Sequence, residues 1–277
     1  MMHNPSRKRP VATGTYYILT TALALAFLAP LLWAAVSSVS PAPGTSQLHG
    51  YGFNNYRTLF DYGLGLPTYL LHSVVISVVA VVVTVAVAAS GGYAFARFSF
   101  RGRRALFVAV LAIMMVPYAA LLLPMVVWTK QLGLQNSLVG TGLVLTLFQL
   151  PFGVLVMRNA FASIPKELEE AAAIDGCGAF GTFRRVMAPT VVPSLVTVGL
   201  FAYLAAWNDF MVSLYLLSMG NAPLPLALVN MRQQVMGVID YGVTTAGVVV
   251  LPLPALVLFL ALQKYYVKGV VSGAVKG

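Results

Sequence analysis

The chain has 277 residues, of which 59% are hydrophobic and 9% are charged, against about 25% charged in an ordinary soluble domain. With a mean hydropathy of +0.86, lipid is the solvent for most of it, which excludes a soluble globular domain. The net charge of +10 does not indicate nucleic acid, because the Lys and Arg residues fall in short clusters between apolar runs and not on one soluble face.

Residues 1–14 are polar and basic and read as a cytoplasmic tail. Six apolar runs follow, near residues 15–37, 69–94, 105–127, 138–158, 190–218 and 241–263. Each approaches or exceeds the roughly 20 apolar residues that cross a bilayer. The first run is too long for a signal peptide and has no convincing small-residue cleavage site, so it reads as a span. With the amino terminus inside, 14 of the 17 Lys and Arg residues fall on cytoplasmic segments. Only Arg57, Lys130 and Arg232 remain outside. Because positive charge is retained on the cytoplasmic side, both termini are expected there. The fold class expected is therefore all-α integral membrane, with six transmembrane helices. One membrane domain covers residues 15–263, and a cytoplasmic tail covers 264–277.

The outer segment from Ser38 to Pro67 is rich in Pro and Gly and reads as a loop. Within it Asn54 is placed to cap a short surface helix running to Phe60. Gly91-Gly92, Pro117, Pro124, Pro151, Pro252 and Pro254 are expected to interrupt the spans. Such breaks are tolerated where neighbouring helices or an aqueous cavity satisfy the freed backbone groups.

Between the fourth and fifth spans lies a loop, residues 163–189, holding four of the seven acidic residues. Pro165 suits the start of a helix, since its missing N–H is not needed in the first turn. Glu167, Glu169 and Glu170 then sit near the positive end of the helix dipole. Gly176 and Gly178 end that helix. A second stretch follows with Phe180, Phe183, Val186 and Met187 on roughly one face, before Arg184, Arg185 and Pro189 return the chain to the membrane. This helix, glycine turn and helix is more elaborate than a connection of about 2–8 residues requires. It reads as a docking projection for a cytoplasmic partner. Cys177, the only cysteine, excludes an intramolecular disulfide and reads as a small packing residue.

Glu170-Ala171-Ala172, Asp175-Gly176 and Pro189, thirteen residues after that glycine, resemble the EAA loop of ABC importer membrane subunits. Gln149-Leu150-Pro151-Phe152, Ile164-Pro165-Lys166-Glu167-Leu168-Glu169, Ala206-Trp207-Asn208-Asp209 and the terminal Ser272-Gly273-Ala274-Val275-Lys276-Gly277 are similar to the carbohydrate branch, the MalG-type permeases. Two departures, Cys177 in place of the usual alanine and Ala188 before Pro189 in place of leucine, keep small or apolar character.

The resemblance implies a second, similar permease subunit, two ATP-binding subunits that carry the ATP and Mg, and an extracellular substrate-binding protein. It also implies the plasma membrane of a bacterium or archaeon, and a sugar as substrate. By the same resemblance the loop packs into a groove on the ATPase: Glu170 makes a polar contact, Ala171 and Ala172 permit close approach, Gly176 supplies the turn, and Phe180 and Phe183 are apolar anchors. Lys276 is either solvated or a tail contact to the ATPase. The same branch serves glycerophosphodiesters, polyols and other small solutes. A self-sufficient secondary transporter and a membrane scaffold are the readings from other classes.

No Gly-Lys dipeptide occurs, so the phosphate-binding G-x-x-x-x-G-K-[ST] loop is absent and the ATPase must be another chain. His3, His49 and His72 have no metal-ligand spacing, and nothing suggests a hydrolase site. The expectation is a non-catalytic subunit with no cofactor or metal of its own. Polar groups within apolar spans usually face the bundle interior. They are His72, Ser73, Ser77 and Thr84 in the second span, Thr146 and Gln149 in the fourth, and Tyr203, Asn208 and Asp209 in the fifth. Sugars bind through hydrogen bonds and aromatic faces, so Phe148, Gln149, Tyr203, Trp207, Asn208 and Asp209 form the candidate path, with helix–helix packing as the alternative for each. Trp207 lies 17 residues after Thr190, about 26 Å along an ideal helix. Either the fifth span is tilted or broken, or Asn208 and Asp209 mark an outer gate.

Overall fold

The computed structural model describes residues 10–41, 51–234 and 241–274. Among them every regular element is helical. In chain order these are α1 (Pro10–Val39), α2 (Asn54–Asp61), α3 (Leu66–Arg97), α4 (Arg103–Ala112), α5 (Tyr118–Gln131), α6 (Leu138–Ala162) and α7 (Glu167–Ile174). There follow α8 (Ala179–Thr182), α9 (Ala188–Thr190), α10 (Val192–Trp207), α11 (Met211–Leu216), α12 (Leu224–Gln234), α13 (Tyr241–Val250) and α14 (Leu253–Ala274). Four helical stretches are long and apolar enough to cross a membrane: Tyr16–Val39, Leu66–Arg97, Leu138–Ala162 and Tyr241–Gln263. Two bent pairs, Arg103–Met115 with Tyr118–Gln131 and Ala179–Thr190 with Val192–Trp207, raise that number to as many as six where each pair is counted as one span.

The third expected span is thus a helix pair turned by 105° at Pro117. The ring of a proline drives the preceding residue out of the helical region, and Val116 is extended, with φ −79° and ψ 126°. Pro124 and Pro151, also expected as breaks, lie inside continuous helices, and so do Gly91 and Gly92. The fifth span is shorter than expected. Its helix α10 has 16 residues, rising about 24 Å, and stops at Asn208; α11 resumes at Met211. Of the alternatives for this span, the broken helix is the one observed.

The chain divides into two compact units. The smaller, residues 1–62 and 231–252, packs α1 and α2 against α13. Asn54 is the first residue of α2 and not its cap. Its neighbour Asn55 is the buried one, donating from Nδ2 to the Ser38 carbonyl at 2.8 Å and the Ser40 carbonyl at 2.9 Å. Those two bonds stop the end of α1, so tertiary need decided which asparagine the helix buries.

The larger unit, residues 63–230 and 253–277, is built on α3 and α6, which pack along their lengths. Small residues let these backbones close up, as is common where lipid supplies no hydrophobic drive between helices. At Gly92 a Cβ would stand 2.5 Å from Met157 Cβ and 2.8 Å from the Arg158 nitrogen, so only glycine fits without separating the helices. α10 lies against both α3 and α6, and α14 against α10.

Candidate coupling loop and translocation cavity

The 163–189 loop begins with α7, whose first turn holds Glu167, Glu169 and Glu170. Its end is a Schellman motif. The Cys177 amide donates to the Ala172 carbonyl at 2.9 Å and the Gly176 amide to the Ala173 carbonyl at 3.0 Å. Gly176 takes φ +81°, the left-handed conformation this motif requires. The chain then runs through α8, a π-helical turn over Phe183–Met187 and α9, and turns by 80° into α10.

One face of this loop is open. Glu170, Ala171, Asp175, Gly176 and Pro189 are exposed, while Ile174 and Phe180 are 87% and 73% exposed. A depression of about 270 Å³ there is lined by Asp175, Gly176, Cys177, Phe180, Arg184 and Arg185 among others. The opposite face is packed against the protein's own helices. Ala172 and Met187 are buried, and the Phe183 ring lies 5.1 Å from Tyr93 and 6.1 Å from Phe161. Phe180 and Phe183, expected to share a face, are therefore divided between solvent and core, because Tyr93 and Phe161 take up the second ring. Ala171 and Ala172 divide in the same way. Ile174 was not singled out in the sequence, although its place next to the helix end marked it.

The loop is also tied to α3. The Arg97 side chain, at the last residue of α3, lies 3.5 Å from Glu169 Oε1 and donates from Nη2 to the Ile164 carbonyl at 2.6 Å. Tyr93, one turn earlier, lies close to the Glu169 carboxylate.

A second site lies where α10 breaks. A cavity of about 390 Å³ is lined by Tyr118, Phe148, Gln149, Asn208 and Asp209, with apolar side chains of α6, α10 and α11 between them. Four of the six candidate path residues, Phe148, Gln149, Asn208 and Asp209, thus come together. Tyr118 is the one the sequence did not reveal. Its ring packs edge-on against Phe148 at 5.1 Å, and its hydroxyl donates to Asp209 Oδ1 at 3.0 Å. Asp209 is buried and also accepts from the Val212 and Ser213 amides, at 3.3 and 3.0 Å, and from Ser213 Oγ at 3.1 Å. These bonds restart the chain as α11. Asp209 is therefore committed to holding the break, whereas Gln149 and the exposed Asn208 line the cavity, Asn208 with its Nδ2 donating to the Leu204 carbonyl at 2.8 Å.

Tyr203 and Trp207 stack on each other, 5.5 Å apart and 18° from parallel, but neither lines this cavity. Trp207 is buried. Tyr203 borders a separate apolar groove between α3, α10 and α14. Of the polar groups in the second span, His72 Nδ1 bonds the Ala222 carbonyl at 3.0 Å and Ser73 Oγ accepts the Leu224 amide at 2.9 Å. Both fasten the segment entering α12. Lys276 lies outside the described residues.

Residues 86–272 match the family model described as the binding-protein-dependent transport system inner membrane component. The chain belongs to that family. Similar relatives are the trehalose transport system permease SugB of Mycobacterium tuberculosis, 32% identical over 95% of this chain and 98% of that protein, and the diacetylchitobiose uptake permease DasC of Streptomyces coelicolor, 36% identical over 76% of each chain. Among solved structures, a chain of a bacterial ABC transporter involved in the import of the acidic polysaccharide alginate has the same fold. It shows a TM-score of 0.80 over 96% of this chain and all of that one, at 22% identity.

This permease is accordingly an ABC importer membrane subunit of the carbohydrate branch, a multi-pass protein of the inner membrane. The matched segment contains both the 163–189 loop and the cavity at the α10 break.

Proposed function

We propose that this permease is one of two similar membrane subunits of an ATP-driven sugar importer, forming half of the translocation path, and that its 163–189 loop receives the closing motion of the ATP-binding subunits. The observation that carries the reading is the open face of that loop. Ile174, on α7 whose end is fixed by backbone hydrogen bonds, and Phe180, on α8, stand exposed on either side of Gly176. Large apolar side chains held rigidly in water, rimmed by Asp175, Arg184 and Arg185, are the signature of a docking surface. Beyond Pro189 the chain turns directly into α10, which ends at the cavity, so a push on the loop has a short mechanical route to the path.

The division of labour follows. ATP and Mg bind on the two ATP-binding subunits, this subunit is non-catalytic, and an extracellular binding protein delivers the substrate. The Lys and Arg distribution puts both termini and the loop on the cytoplasmic side, with Lys276 available to the ATPase. For the substrate, the cavity offers the polar side chains of Gln149 and Asn208 beside the rings of Phe148 and Tyr118, a combination that suits sugar hydroxyls and ring faces. The named substrates of SugB and DasC, a disaccharide and an amino-sugar disaccharide, support the same class.

The test is reconstitution of the four-component complex in proteoliposomes, with uptake of oligosaccharides compared with polyols and glycerophosphodiesters. Sugar uptake that needs ATP, the binding protein and the ATPase is expected. Asn208→Ala and Gln149→Ala should each weaken uptake by about twofold to tenfold, the range of one neutral hydrogen bond of 0.5–1.5 kcal/mol, with ATPase capture intact. Ion-coupled uptake by the purified chain alone would overturn the reading.

A further inference from the structure

Adjacent glutamates on α7 have different tasks. Glu170 faces solvent, where a partner can reach it, while Glu169 turns inward to Arg97 at 3.5 Å, with side chains 22% and 8% exposed respectively. The Arg97 guanidinium does two things at once. Its Nε side meets Glu169 in the first turn of α7, and its Nη2 holds the Ile164 carbonyl at 2.6 Å, in the short link between α6 and α7. Tyr93 lies one helical turn before Arg97. It lies close to the same carboxylate and packs its ring on Phe161 of α6 at 5.3 Å and on Phe183 of the π-helical turn at 5.1 Å. The end of α3 therefore grips the loop at its entry, on its first helix and on its second half.

What α3 grips is in turn bound to the cavity wall. Gly92, next to Tyr93, lets α3 approach the α6 backbone at Met157 and Arg158. α6 is one continuous helix from there back to Phe148 and Gln149, which line the cavity. From Phe161 to Gln149 is 12 residues, about 18 Å of helix.

We infer that Arg97, Glu169 and Tyr93 are positioning residues that clasp the coupling loop to the α3–α6 pair, so that displacement of the loop moves the α6 wall of the cavity as one body. This rests on the proposed coupling role of the loop. A charge pair is suited to the task because breaking it strands a charge in a nearly buried place. That makes the clasp hold under load even where its net contribution to stability is small. Without the clasp, the loop would be joined to the membrane helices through its two chain ends and the apolar seats of Ala172, Phe183 and Met187. Docking would still occur, but the motion would be absorbed where the loop meets the helices.

The experiment uses the reconstituted transporter with Arg97→Gln, Glu169→Gln, the double variant, and Glu167→Gln as a control on the exposed side of the same helix. Two quantities are read, capture of the ATP-binding subunits during purification and sugar taken up per ATP hydrolysed. Arg97→Gln should keep capture but lower uptake per ATP by about tenfold or more, since it leaves the carboxylate buried without its partner. Glu169→Gln should lower it less, because Arg97 keeps its bond to the Ile164 carbonyl. The double variant should be no worse than Arg97→Gln, and Glu167→Gln should match the natural protein. The inference is overturned if either single variant keeps uptake per ATP within about twofold of the natural value, or if the two losses multiply as they do for independent sites. Gly176→Leu in the same assay separates the two ideas. If it uncouples while Arg97→Gln does not, the docking role stands and only the clasp falls; if Gly176→Leu captures and couples normally, the docking role falls.

Discussion

Gly176 allows backbone strain and lost docking to be separated by substitution. Its φ of +81° lies in the left-handed region, which costs a residue bearing a Cβ about 1–2 kcal/mol. No atom lies within 4 Å of the position a Cβ would occupy, so within this chain alone alanine and leucine should cost the same. Asparagine should cost less, because its side chain tolerates that conformation. A penalty of 1–2 kcal/mol changes the balance between the capped and frayed end of α7 by about 5- to 30-fold. If the only defect were backbone strain, activity would follow the order glycine, asparagine, then alanine and leucine together. Docking against a partner surface adds a term that grows with side-chain volume, so Gly176→Leu should fall well below Gly176→Ala in ATPase capture and in uptake. Membrane insertion and thermal stability of the two variants should be equal. Equal capture and uptake for alanine and leucine would refute the claim that a partner approaches this glycine closely.

Two further outcomes follow from the packing. Gly92→Leu would place its Cβ 2.5 Å from Met157 Cβ, and overpacking of this kind costs typically about 1–3 kcal/mol or more; a lower unfolding temperature of the detergent-purified permease, with a smaller fall for Gly92→Ala, checks it. Asp209→Ala removes the acceptor of four hydrogen bonds and should cost more than the roughly 1 kcal/mol of an ordinary helix cap, because the Tyr118 hydroxyl and Ser213 also lose their partner. Asp209→Asn keeps one acceptor oxygen and should recover part of the loss in the same measurement.

What could be read from the sequence, and what could not, divides by range. An all-helical membrane chain was legible because hydropathy over 20 residues is a one-dimensional signal. The α7 end was legible because a left-handed cap is a local requirement that glycine meets. Which proline bends its helix was not: Pro117 breaks one while Pro124 and Pro151 do not, and the local sequence rule is the same for all three. Asn54 and Asn55 differ in burial only because Asn55 reaches Ser38 and Ser40 from another helix.

The same limit explains why residues grouped by type are separated in the structure. Tyr203 and Trp207 look like sugar-binding rings by residue type, yet they stack on each other, with Trp207 buried and Tyr203 bordering an apolar groove. Tyr118, 91 residues from Asp209 in the chain, joins the cavity only because the Pro117 bend starts α5 there. The clasp is of the same kind, since Arg97 is 67 residues from Ile164 and looks, in sequence, like one more positive charge retained on the inner side. A membrane chain has few charges to spare, and one with its side chain only 8% exposed is not serving topology alone, because a topological arginine does its work equally well in water. Burial is therefore the observation that separates Arg97 from the exposed Arg101 and Arg104 just beyond it. Neutralising either of those two should leave uptake per ATP unchanged, whereas neutralising Arg97 should not.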